Sequence, residues 1–80
     1  MQTGVYAINA VDIVPTRNSA FIRYEIIVTK PNDPAFGAVF HTLENWAATL
    51  CKQARDRKRL LKIGTVETKF GPKIISIEPL

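Results

Sequence analysis

Cysteine, histidine and tryptophan each occur once in the 80 residues, as Cys51, His41 and Trp46. Each scarcity removes a class of function. A lone cysteine closes no internal disulfide, which points to a reducing, cytoplasmic compartment. One cysteine and one histidine cannot supply the ligands of a structural zinc site. The four glycines, Gly4, Gly37, Gly64 and Gly71, are scattered and make no phosphate loop. Neither metal nor cofactor is expected. A hydrolytic triad needs a base held beside a nucleophile and a group to orient it. Nothing in the sequence selects a partner for His41, which reads as a polar residue at a strand end before a helix cap. Cys51 adjoins an apolar helical stripe and reads as a small buried side chain, with Lys52 beside it as the one feature able to lower its pKa. The chain is therefore expected to be a non-enzyme. No apolar run approaches the roughly 18 residues that span a bilayer. Met1-Gln2-Thr3-Gly4 lacks the basic start and apolar block of a signal peptide. No membrane partner is expected.

What is present is a globular composition, 46% hydrophobic and 22% charged, on a length that suits one domain, residues 1–80. The formal net charge is +4, and its placement is uneven. Lys52, Arg55, Arg57, Lys58, Arg59 and Lys62 face only one acid, Asp56, between residues 52 and 62. Elsewhere Arg17, Arg23, Lys30, Lys69 and Lys73 are outnumbered by six acids. A localised positive field suits a polyanion. A solubilising patch at a helix end explains it equally well.

Val5 to Val14 is β-branched and apolar, and ends at the turn cluster Pro15-Thr16-Arg17-Asn18-Ser19. Ala20 to Lys30 alternates, with Ile22, Tyr24, Ile26 and Val28 facing inward and Phe21, Arg23, Glu25, Ile27 and Thr29 outward. Pro31-Asn32-Asp33-Pro34 breaks that strand, and Gly37 to His41 is a short third one. The period then changes. Leu43, Trp46, Ala47, Leu50 and Ala54 form one helical stripe, with Thr42 as N-cap, Glu44 in the first turn and basic residues near the C-terminus. Beyond Arg59, Leu61 and Ile63 share one parity and Val66 and Thr68 the other, with a possible bulge at Gly64. Phe70-Gly71-Pro72 reads as a turn. Ile74 to Leu80 is the last strand, with Ile75 and Ile77 inward and Ile74 and Ser76 outward.

This β-β-β-α-β-β order predicts a mainly β fold, a five-stranded OB-fold Greek-key barrel with one helix between strands three and four. Closure manages the edges of such short strands. The helix is expected to plug one barrel end with Leu43, Trp46, Ala47 and Leu50. An open α+β sheet is the competing arrangement.

An OB barrel binds across strands two and three and the loops joining strands one to two and four to five. Single-strand binding needs cations to track the backbone and aromatic faces to stack on bases. Arg17, Phe21, Arg23, Lys30, Phe36, Lys69, Phe70 and Lys73 all fall on that surface. Arg55, Arg57, Lys58, Arg59 and Lys62 are a secondary basic patch. Each aromatic has a plainer reading. Phe21 can close the barrel, Phe36 can pack beneath its loop, and Phe70 can be the apolar half of a turn. Tyr6, Tyr24 and Trp46 read as core.

The stretch from Ala38 to Phe70 resembles the OB-fold single-stranded DNA-binding proteins of bacteria and their phages. Val39-Phe40-His41 ends a strand, and the helix carries Trp46-Ala47-Ala48-Thr49-Leu50-Cys51. After the basic turn, Leu60-Leu61-Lys62-Ile63-Gly64-Thr65-Val66-Glu67-Thr68-Lys69-Phe70 gives apolar alternation, a glycine, then threonine with basic and aromatic residues. The resemblance implies sequence-tolerant binding of single-stranded DNA and a place in DNA replication. The sequence ends at Leu80 without the family's acidic tail, has a short final hairpin and carries no tryptophan on the binding strands. These departures fit a compact phage or mobile-element version. An OB-like protein–protein adaptor and a single-stranded RNA binder remain alternatives. The apolar first strand can pair with its copy, so a homodimer is possible.

Overall fold

The computed structural model describes residues 1–15 and 22–80. The chain folds as β1 (Gln2–Pro15), β2 (Ile22–Lys30), β3 (Asp33–Thr42), α1 (Asn45–Arg57), β4 (Leu60–Thr68) and β5 (Gly71–Pro79). The strands close into a barrel in the order β1-β2-β3-β5-β4. All neighbouring pairs are antiparallel except β3 with β5, which run parallel and meet at His41 and Lys73. This is the expected OB arrangement, with the helix between the third and fourth strands.

β1 serves two neighbours. Gln2–Ala7 pairs with β4, and Ala7–Pro15 pairs with β2 across a register shift between Ile8 and Ala10. That long shared strand is what lets five strands close. Alternation fills the interior. Tyr24, Ile26 and Val28 from β2 meet Phe40 from β3, Ile8 from β1, Leu61 and Ile63 from β4 and Ile74 from β5. The Tyr6 ring stands perpendicular to Phe40 at 5.0 Å between centroids, a favourable edge-to-face pair. No described helix is long and apolar enough to cross a membrane.

Several local expectations are corrected. The helix begins at Asn45, and its N-cap is Glu44, not Thr42. Thr42 instead accepts the Glu44 backbone N–H on Oγ1 at 3.0 Å, which turns the chain into the helix. No acid occupies the first turn. The buried face of α1 is Ala47, Ala48, Cys51 and Ala54. Leu43 and Trp46 are exposed, and Leu50 is only half-buried. The stripe of large residues therefore does not plug the barrel. The face of α1 that joins the core carries only small residues, which let the helix backbone pack closely against the barrel. The Tyr24 hydroxyl fixes the near end of that helix by donating to Asn45 Oδ1 at 3.2 Å.

The third strand starts earlier than expected, at Asp33, so the β2–β3 turn narrows to Pro31-Asn32. Ile22, expected inward, is exposed; it pairs with Pro15 at the ends of β1 and β2. On β5 the facing is reversed at two positions: Ile74 is buried and Ile75 exposed. Gly64 pairs with Ser76 and Thr65 with Ile74, which leaves Ile75 as the extra residue. The bulge thus lies on β5 opposite Gly64, not on β4, and it sends Ile74 inward while Ile77 still packs against the core. The last turn is Lys69-Phe70, with Gly71 already the first residue of β5.

Candidate nucleic-acid interface

The outer face of β2 and β3 presents Arg23 and Glu25 beside His41. Glu25 is opposite His41 on one side, and Lys73 is opposite it on the other. These four residues come from three strands. Only the register of the closed barrel makes them neighbours.

The β4–β5 turn leans over this row. Thr68 Oγ1 donates to the Gly71 carbonyl at 2.8 Å and accepts the Phe70 N–H at 3.2 Å. Gly71 has a φ of 96°, a region side chains rarely tolerate, so glycine closes the hairpin at low cost. Phe70 is left at the tip, 63% exposed. Its ring centroid is 5.7 Å from the Arg23 guanidinium carbon and 5.2 Å from Lys69 Nζ. The His41 ring stands perpendicular to it at 6.4 Å. Both cations lie within cation–π range. An exposed aromatic face set among Arg23, Lys69 and Lys73 can stack on a flat ring while its neighbours hold anions.

His41 was not among the residues singled out from sequence for binding. It faces outward with Val39, yet it is only 7% exposed, and Nδ1 has no hydrogen-bond partner among the described residues. Its pKa is lowered by burial, then by the nearby Arg23 and Lys73 charges; the Pro72 carbonyl and Glu25 pull weakly the other way. Arg23 Nη2 contacts Glu25 Oε1 at 3.3 Å, while Arg23 Nε is buried without a partner among the described residues. The signal for His41 was its parity on β3, which places it on the same outer face as the Arg23–Glu25 pair.

The remaining expected site residues divide. Arg17 and Phe21 lie outside the described residues. Lys30 sits at the opposite end of β2, seven residues from Arg23 or about 23 Å along the strand, and Phe36 on β3 is beside it. Lys30 Nζ lies 4.4 Å from the Phe36 centroid, and Phe36 also packs at 6.1 Å from Tyr6. Phe36 is thus half-buried on β3 against the edge of the core, rather than beneath a loop, and does not join the Phe70 group. In the helix-end patch, Arg55 Nε contacts Asp56 at 3.1 Å. Lys58 takes a left-handed conformation with φ 54°. Its N–H bonds the Arg55 carbonyl, and the Arg59 N–H bonds the Ala54 carbonyl. That pair of bonds is a Schellman cap. Arg57 and Arg59 border a cavity of about 140 Å³ whose walls include Leu50, Leu60 and Leu80. Cys51 is fully buried, and burial pushes its thiol up to about 11, outweighing any help from Lys52.

No family model, curated protein or solved structure matches this chain.

Proposed function

We propose that this protein binds single-stranded DNA without strong sequence preference, across the outer face of β2, β3 and the β4–β5 turn, and that it acts by binding alone rather than by catalysis. The observation that carries this reading is Phe70, an exposed ring at a hairpin tip with Arg23 and Lys69 on its borders. Base stacking is sequence-tolerant because every base has a π-face, and phosphate neutralisation carries no base information. The resemblance of Ala38 to Phe70 to bacterial and phage single-stranded DNA-binding proteins supports the same reading, and with it a cytoplasmic role in replication. Anisotropy of a labelled oligo-dT at two salt concentrations tests it. Binding that weakens steeply with salt is expected. Binding absent even at low salt overturns it. An oligo-U competitor decides between DNA and RNA, since an OB surface can accept either.

A protein contact is the second reading, favoured by a separate observation. Ile13, Ile22, Leu43 and Trp46 are exposed large apolar residues. Ile13 pairs with Tyr24, Ile22 lies two residues before it on β2, Leu43 follows Thr42, the β3 partner of Tyr24, and Trp46 follows Asn45, which the Tyr24 hydroxyl contacts. Among the described residues, β1 beyond Ala7 pairs with β2 alone, so its other edge has no strand partner. A second copy of the chain is the proposed occupant. Sedimentation of the wild type against Ile13→Ser should show a dimer lost in the variant; a wild-type monomer at high concentration overturns it.

A further inference from the structure

Two buried polar atoms on the outer face have no partner among the described residues, and both belong to the same cluster: Arg23 Nε and His41 Nδ1. Leaving such groups unpaired costs free energy, so each calls for an explanation. The Phe70 ring lies against both side chains, 5.7 Å from the Arg23 guanidinium carbon and 6.4 Å from the His41 ring. Yet that ring is itself largely exposed and sits on a two-residue turn. It covers the pair without being locked in place.

We infer that Arg23, His41 and Lys73 form a phosphate seat beneath Phe70, uncovered when that ring swings out to stack on a base. The inference rests on the single-strand reading and adds to it the residues that hold the backbone. A phosphate oxygen satisfies Arg23 Nε–H directly. The Pro72 carbonyl takes the N–H of the neutral His41 ring at the other nitrogen, so Nδ1 is the acceptor, and a phosphate oxygen can meet it only if the ring gains a second proton. The proton comes from solvent, so binding takes up one proton at His41. The charged and titratable groups around that ring are Arg23 and Glu25 on β2, Lys73 on β5, and Lys69 beside Phe70 on the turn; Asp12 on β1 lies one strand further, opposite Glu25. Burial first, then the Arg23 and Lys73 charges, keep the His41 pKa below its ordinary value in the free protein. A phosphate reverses that balance.

His41 is the sole histidine, so its imidazole resonances are unambiguous. The test is an NMR titration of His41 in the free protein, with saturating oligo-dT, and with inorganic phosphate alone. Anisotropy between about pH 5.5 and 8 at fixed ionic strength accompanies it. The expected result is a higher His41 pKa with oligo-dT, and affinity that rises on acidification by up to about tenfold per pH unit. His41→Gln should flatten that profile. Oligo-dT that binds yet leaves the His41 pKa unchanged overturns the seat while the single-strand reading stands. If oligo-dT does not bind, that reading fails and the phosphate arm decides: a raised pKa upholds an anion seat, an unchanged one overturns it.

Discussion

Phe70 and His41 differ in what they contribute, although their rings touch. Phe70 buries little, so Phe70→Ala should leave the melting temperature nearly unchanged. If the ring stacks on a base, the same variant should lose about 1–3 kcal/mol of oligo-dT binding. A lowered melting temperature with affinity intact would instead identify a packing residue of the hairpin. His41 makes its mark on stability. Its folded pKa lies below the unfolded value of 6.5, so the unfolded chain binds the extra proton first. Stability should be fully present above pH 6.5 and fall as the pH drops below it toward the lowered folded value. Denaturant melts of wild type and His41→Gln across that window check the sign. A variant as acid-sensitive as the wild type would place the effect elsewhere. The outward parity of His41 could be read from the β3 alternation. Its neighbours could not, because Glu25 and Lys73 reach it only through cross-strand register.

At the scale of elements, the helix shows where periodicity is ambiguous. Ala47, Ala48, Cys51 and Ala54 form one stripe; Leu43, Trp46 and Leu50 form another that overlaps it. Hydrophobicity favours the large residues, but close packing against the barrel favours the small ones. With Trp46 48% exposed, Trp46→Ala should cost about 1–2 kcal/mol, well below the roughly 3–5 of a fully buried aromatic. Its emission should be red-shifted in the folded protein. The helix C-terminus offers a sharper case. Lys58 holds a left-handed conformation in a Schellman cap, where glycine pays no Cβ penalty. Lys58→Gly should stabilise the protein by about 1 kcal/mol, read as a higher denaturant midpoint with an unchanged slope. A destabilised variant would mean that the lysine side chain contributes more than its backbone costs.

For the whole molecule, charge distribution sets the expected response to salt. If Arg23 and Lys73 contact phosphates, Arg23→Ala and Lys73→Ala should each weaken binding alike for all oligonucleotide sequences. The double variant should flatten the dependence of log affinity on log salt by roughly two counterions. Loss confined to one base composition would contradict a backbone role. The helix-end patch supplies a comparison. Arg57→Ala should leave the slope unchanged if that patch serves solubility and helix capping alone.

The sequence by itself determined the order of elements and the inward facing of Tyr24, Ile26 and Val28 on β2, because a period of two admits one facing, and it favoured a barrel over an open sheet, because closure manages strand edges. It also placed Arg23, Lys69, Phe70 and Lys73 on one surface, together with Lys30 and Phe36, which the structure sets at the other end of β2 and β3. Tertiary structure alone decided three matters. Close packing against the barrel chose the helix face. A bulge at Ile75 turned Ile74 inward and Ile75 out, since one extra residue reverses parity. Cross-strand register set His41 between Glu25 and Lys73 and beneath Phe70. Each depends on distances between segments far apart in the chain, and local pattern carries no information about them.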